Sequence, residues 1–469
     1  MASTRREHDT LGDVDVPADA MYGAQTQRAV ENFAISGVAI PPSVIHALGH
    51  IKSAAAIVNG ASTDVPAIDA EMSAAIAAAA DEVAAGRWDT QFPIDVYQTG
   101  SGTSSNMNAN EVIATRASEI LGRPVHPNDH VNASQSSNDV FPTAVRLAIA
   151  GTISGELLGA LDLLVDELTA ASQRFATVVK AGRTHLMDAA PMFLGQEFGA
   201  YAAQVGGARD RVAESVAWLC AVPIGGSAVG TGLNVPSGWA EAVRLELARR
   251  TALPVAAPAD SFAAQAGADA FADTSGALRS VAVALTKIAN DLRLLASGPA
   301  TGLGEIVLPA LQPGSSIMPG KVNPVLCEAA VQVGARVIGN DVTIAFAAAG
   351  GQLELNTGLP LFAHVLDESV RLLTSVSRLL ADRCIRGIEV DVDRARRYAE
   401  ASPAIITGLA VEIGYESAAA VVHRAHEAGI TVRELLEREG MDEARLARML
   451  DVDRLARGGV IDGADDHGG

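Results

Sequence analysis

Apolar residues return every three or four positions through long tracts of this chain, the spacing of a helix with one buried face. Ile149, Ile153, Leu157, Leu161, Leu164 and Leu168 form one stripe, with Glu156, Asp162 and Asp166 on other faces. Val281, Leu285, Ile288, Leu292 and Leu295 form a second, and Leu366, Val370, Leu373 and Leu380 a third. Helices of about thirty residues would run about 45 Å, longer than a single compact domain needs, so the pattern predicts an elongated bundle. Shorter helical patterns lie outside it, at Ala67–Ala85 and, after Gly387, at Glu416–Ala428 and Thr431–Glu439. The expected class is all-α. The expected division is a mixed N-terminal domain at 1–135 with an irregular polar start, the long-helix bundle at 136–388, and a small helical domain at 389–469. Gly458–Gly469 reads as a disordered tail, and there is no internal repeat.

Composition narrows the partners. At 469 residues the chain is too long for one core, and 49% hydrophobic residues with only 4% aromatics favour helices packed closely through small side chains. Thirty-five basic against fifty-five acidic residues leave a net charge of −20, which argues against nucleic acid or an anionic membrane as partner. An anionic substrate would be drawn only by local groups such as Lys321, Arg183 and helix N-termini. Residues 1–10 carry no apolar run, and no stretch of about twenty uncharged apolar residues follows, so a cytoplasmic location is expected. Cys220, Cys327 and Cys384 are odd in number and far apart, which suggests neither a disulfide framework nor a cluster site.

The densest chemistry lies at residues 314–324, Gly-Ser-Ser-Ile-Met-Pro-Gly-Lys-Val-Asn-Pro. Two glycines and two prolines make it a loop, and its hydroxyls, lysine and asparagine suit a dicarboxylate. Ser315 and Ser316 as simple caps of the next helix are the plainer reading. A phosphate loop fits worse, because five residues separate Gly314 from Gly320 and Val322 follows Lys321.

This segment resembles the signature of the fumarase/aspartase superfamily of lyases, which break a C–O or C–N bond beside a carboxylate. Residues 99–111, Thr-Gly-Ser-Gly-Thr-Ser-Ser-Asn-Met-Asn-Ala-Asn-Glu, and 182–197, Gly-Arg-Thr-His-Leu-Met-Asp-Ala-Ala-Pro-Met-Phe-Leu-Gly-Gln-Glu, resemble its other two regions. The likeness runs from about Gly12 to about Leu450. It implies a homotetramer whose active sites are shared between subunits. It also implies that Ser315 is the catalytic base and that Ser101, Thr103 and Asn138 face substrate.

Dehydrating a 2-hydroxy dicarboxylate means taking a very weakly acidic proton beside a carboxylate and holding the resulting aci-carboxylate among cations and donors. Lys321 and Asn323 supply a charge and an amide; Ser101, Thr103, Ser136, Ser137, Asn138 and Thr184 supply neutral donors. Ser315 needs nearby positive charge and backbone N–H groups to act as a base. As the site's one histidine, His185 suits the departing hydroxyl, with Glu328 as the carboxylate paired with it. His46, His50, His364, His423 and His426 read as structural, and the spacing of the last two is not that of a zinc site, so neither metal nor other cofactor is expected.

Within the superfamily, Ser101-Gly102-Thr103, His185, the segment 136–141 and the segment 126–129 resemble the class II, metal-free fumarases of the tricarboxylic acid cycle. His126, Asn128 and Asp129 match a second, non-catalytic dicarboxylate site. Two places depart from that branch: Met187 stands where glutamine is common, and Thr357-Gly358-Leu359 replaces a Val-Phe-Lys. The alternatives are an aspartate ammonia-lyase on the same fold and a catalytically inactive helical scaffold, although a scaffold should have lost Ser315, His185 or Lys321.

Overall fold

The computed structural model describes residues 3–65 and 67–459. It is mostly helical, 63% of residues, and the strands among the described residues form three two-stranded antiparallel pairs. The predicted stripes are core: every residue named in them is at most 4% exposed. Residues Ser137–Arg174 form one continuous helix of 38 residues, α-helical over Ser137–Thr152 and Leu158–Arg174 and widened to π turns at Ile153–Leu157. By length and hydropathy this helix could cross a bilayer, but its apolar stripe is already buried against protein. Leu194–Cys220 and Asp269–Leu295 have 27 residues each, and Val325–Ala349 and Leu359–Arg383 have 25. At the rise of an α-helix these are about 40 Å long.

Contacts group the chain into two compact units. One comprises residues 1–160, 208–283 and 333–375; the other comprises 161–207, 284–332 and 376–469. In the first, helix Pro42–Gly60 packs on Ala70–Ala84, Ser137–Thr152 and Trp239–Thr251. Small residues set these distances. A Cβ on Gly49 would lie 2.5 Å from the Ala84 nitrogen and 2.8 Å from the Ala80 oxygen, so the two helices approach as closely as they do only because the position is glycine.

The polar start is not irregular. Thr4–Asp9 and Gly12–Pro17 form an antiparallel hairpin, Thr4 opposite Pro17 and Asp9 opposite Gly12. Its alternation is hard to read because one strand is Thr-Arg-Arg-Glu-His-Asp, with charges on both faces. Cross-strand charge pairs and an Asp9 carboxylate accepting the Leu11 N–H hold it.

In the second unit, Val179, Leu409, Leu436, Leu446 and Met449 are buried in one apolar cluster. Helices Tyr415–Ala428 and Val432–Arg438 fall within a residue of their predicted bounds. Thr431 and Glu434 cap the second reciprocally, a signal printed in the sequence itself. Cys220, Cys327 and Cys384 are buried free thiols, and burial pushes Cys220 up to about 11. Most of the predicted C-terminal tail, 460–469, lies outside the described residues.

Gly102 joins fold to site. It sits at φ +72°, ahead of helix Thr103–Leu121, and a Cβ there would lie 2.1 Å from the ring of the fully buried Phe141. Gly102→Ala should therefore cost at least about 2 kcal/mol, from overpacking together with left-handed backbone strain. A thermal or urea melt reads it directly. A loss under half a kilocalorie would mean that the Phe141 contact is far looser than the structure has it.

Candidate active site

In the first unit the sequence Thr99-Gly100-Ser101-Gly102-Thr103 makes a tight turn, closed by the Gly102 N–H donating to the Thr99 carbonyl at 2.8 Å. The hydroxyls of Ser101 and Thr103 lie 2.7 Å apart and share a hydrogen bond. A Cβ on Gly100 would lie 2.3 Å from the Thr357 carbonyl oxygen. The departure at 357–359 therefore begins directly against the turn that carries Ser101 and Thr103.

Ser136, Ser137 and Asn138 begin helix Ser137–Thr152. Ser136 is its N-cap; its Oγ accepts the Asn138 N–H at 3.3 Å, and its own N–H donates to Asp139 Oδ1 at 2.9 Å. Asn138 Nδ2 donates to the Ala228 carbonyl at 2.9 Å. Ser137 Oγ accepts from Asn106 Nδ2 at 2.9 Å. The plain reading of these residues as caps is right for Ser136, and its O–H remains able to donate as well.

Behind this row lies a polar layer that sequence reasoning missed. Lys52 is 0% exposed, and its Nζ donates to Asn132 Oδ1 at 2.8 Å and to Gln135 Oε1 at 3.0 Å. Burial pulls its pKa down to about 7 against the pull of Asp139. Asp139, also fully buried, accepts from the N–H groups of Ser136, Gly225 and Ser227. Burial pushes it up to about 6, although those N–H groups and Lys52 draw it down. A signal existed: Lys52 is the one Lys, Arg, Asp or Glu in helix Pro42–Gly60, set among alanines.

The second unit carries loop 314–324, Glu328 and His185, the expected acid-base groups. Loop 314–324 is pinned at its base, where the Gly314 N–H donates to the Lys321 carbonyl at 2.7 Å and Asn323 Nδ2 donates to the Gly314 carbonyl at 2.8 Å. A Cβ on Gly314 would lie 2.6 Å from that Lys321 oxygen. One Asn323 amide hydrogen thus holds the loop, leaving the other for a ligand. Ser315 Oγ accepts two backbone N–H bonds, from Ile317 at 3.2 Å and Met318 at 3.0 Å. Such bonds favour an oxyanion over a hydroxyl. Lys321 is exposed, and among the described residues its ammonium has no partner; Glu328, in the first turn of Val325–Ala349, is likewise exposed and unpaired.

His185 stands at the tip of the hairpin Val179–Thr184/Met187–Phe193. The loop is two residues long, and both have positive φ, His185 at 56° and Leu186 at 62°, as in a type I′ turn built without glycine. Left-handed backbone costs on the order of 1 kcal/mol or more per non-glycine residue. Thr184, His185 and Met187 are all exposed there. No hydrogen bond within the chain joins His185 to Glu328, Ser315 or Lys321. Arg183 is not available to an anion: it grips Glu305 with two bonds, 2.9 and 3.0 Å, the carboxylate being 1% exposed. Of the local cations expected to attract substrate, Arg183 is therefore withdrawn.

His126 caps the turn Pro127–Val131; its Nδ1 accepts the Asp129 N–H at 3.1 Å and lies 3.2 Å from the Asp129 carboxylate. His126 and Asn128 line an open cavity of about 420 Å³ with Arg5, His8 and Ser118, whereas Asp129 is not among its walls. No group of three or more His, Cys, Asp or Glu side chains among the described residues could hold a metal ion.

The chain as a whole is similar to known proteins. A family model described as lyase matches residues 12–339, and one for the fumarase C C-terminus matches 405–457. The chain is 52% identical over 467 residues, 98% of each chain, to the class II fumarate hydratase of Mycobacterium tuberculosis, and 50% identical, over 96% of each, to that of Corynebacterium glutamicum. Its fold is similar to the crystal structure of class II fumarase from Schistosoma mansoni, with a TM-score of 0.94 and 38% identity over 97% of this chain and 99% of that one. It is also similar to a fumarate lyase:delta crystallin structure from Brucella melitensis bound to cobalt, with a TM-score of 0.93 and 48% identity over 97% and 100%. With the three motifs seated on that same fold, the chain belongs to the fumarase/aspartase family of lyases, among its class II fumarate hydratases.

Proposed function

We propose that this lyase hydrates fumarate reversibly to L-malate, with Ser315 moving the C3 proton and His185 serving the leaving oxygen. The observation that carries this reading is the pair of backbone N–H groups on Ser315 Oγ. A serine hydroxyl is far too weak a base unless its oxyanion is stabilised, and these two donors, in the same loop as the cation Lys321, are groups that would stabilise it.

In the dehydration direction Ser315 as alkoxide removes the C3 proton. Negative charge then flows into the neighbouring carboxylate, giving an aci-carboxylate held by the Lys321 ammonium and the free Asn323 N–H. The C2 hydroxyl leaves as water with a proton from His185, which Glu328 orients. Ser101, Thr103, Ser136, Ser137, Asn138 and Thr184 hold the carboxylates. The expected second dicarboxylate site at His126, Asn128 and Asp129 would use the cavity lined by the first two.

We further infer a homotetramer whose sites are shared between chains. His185 and Glu328 each stand exposed and, among the described residues of one chain, without a partner, which supports a complement from another. Inactive Ser315→Ala and His185→Asn chains, unfolded and refolded together, should regain part of the wild-type malate turnover. A confirmed mixed assembly with none regained would assign the whole site to one chain.

Ser315→Ala should lower kcat by about 10²–10⁴-fold while leaving the affinity of a competitive dicarboxylate nearly unchanged. His185→Asn should lower kcat and remove a limb of the pH profile. Exchange of the malate C3 proton with solvent deuterium separates the roles. Wild-type exchange in Ser315→Ala with none in His185→Asn would reverse them. Aspartate, run as a parallel substrate in the ultraviolet assay, should give no rise.

A further inference from the structure

Lys52 sits in the middle of helix Pro42–Gly60, where its two partners are both amide oxygens, Asn132 Oδ1 and Gln135 Oε1. An ammonium has three hydrogens and nothing with which to accept, so both amides must turn oxygen toward it. The other ends of those amides agree: Asn132 Nδ2 donates to the Gln135 carbonyl, and Gln135 Nε2 to the carbonyls of Val131 and Ala133. Thus fixed, Asn132 Oδ1 also accepts from Asn106 Nδ2 and Asn110 Nδ2, each at 3.2 Å. Asn106 must therefore present its NH₂ group, whose second bond goes to Ser137 Oγ. A serine oxygen that accepts on its inner side keeps its own O–H to donate outward. Asn106 Oδ1 is left buried without a partner, so the amide is not oriented for its own satisfaction.

We propose that Lys52 is a positioning residue that sets the direction of this chain of hydrogen bonds, so that Ser137 meets an incoming carboxylate as a donor. This rests on the reading of Ser136–Asn138 as a carboxylate cradle. A carboxylate offers only acceptors, so a reversed chain would set two acceptors against each other. Of the helices packed on Pro42–Gly60, namely Ala70–Ala84, Thr103–Leu121, Ser137–Thr152 and Trp239–Thr251, only Ser137–Thr152 brings a charge to bear on Lys52, that of Asp139. A lysine that has lost its proton can accept as well as donate. Control of direction is therefore fullest well below the lysine's folded pKa of about 7 and weakens as pH rises through it.

The test is Lys52→Met, which keeps length and burial but removes every donor, assayed with malate in the purified full-length enzyme. KM should rise about tenfold, the effect of one hydrogen bond to a charged group, with kcat within about threefold of wild type. The upward drift of KM as pH passes 7 in the wild type should be absent. In a Ser137→Ala background the same change should add less than about twofold, because the relay ends at that hydroxyl. An unchanged KM, or effects of the two substitutions that simply multiply, overturns the proposal. If Lys52→Met does not fold, Asn106→Ala cuts the last link with the cation left in place, and the same KM and coupling criteria decide. A wild type that fails to turn over malate would instead overturn the functional reading, which keeps the two failures distinct.

Discussion

A buried ammonium can only donate, and that constraint organises the first unit. Helix Pro42–Gly60 is packed so tightly through alanine and glycine that Lys52 is cut off from water, leaving protein oxygens as its sole means of satisfaction. Asn132 and Gln135 meet it, and through Asn132 the constraint reaches Asn106 and then Ser137. Asp139 closes the arrangement from the other side: it caps its own helix through Ser136 and draws in the backbone at Gly225 and Ser227. Segments far apart in sequence thus hold the donor row in one geometry. A row of serines and asparagines otherwise has many ways to satisfy itself, and most of them would face a carboxylate with the wrong atoms.

The second unit presents its chemistry differently, through backbone shape. Loop 314–324 is anchored at its base by Gly314 and Asn323, and its own amides converge on Ser315 Oγ. His185 is carried on a two-residue turn that runs left-handed without glycine. Strain of that kind persists only where neighbouring pairs over-determine the chain, here the ladder of the hairpin 179–193. Lys321, His185 and Glu328 are left exposed and, among the described residues, unpaired, while Arg183 is spent on Glu305. In a chain with a net charge of −20, the proposed anionic substrate would have to be attracted by a few placed cations and by oriented dipoles.

Much of this was legible in the order of residues. Helix periodicity identifies three of the five long helices among the described residues, with their buried stripes, because a face that must leave water shows itself every three or four positions; Leu194–Cys220 and Val325–Ala349 were not read from it. Capping residues such as Thr431 and Glu434, and glycines such as Gly102 and Gly314, are local statements and can be read locally. The three motifs name the family because long runs of these side chains in this order are specific to it. Tertiary structure alone decided what each polar group faces. Nothing in the sequence shows that Arg183 is taken by Glu305, since the two are distant along the chain and the pair exists only once their elements meet. The charged strand Thr4–Asp9 hides its own alternation, and its pairing emerges only with a partner strand beside it. Lys52 stands out in its helix, yet its role depends on amides some eighty residues away. A hydrogen bond has a direction as well as a length, and that direction is settled by what the fold places at the other end.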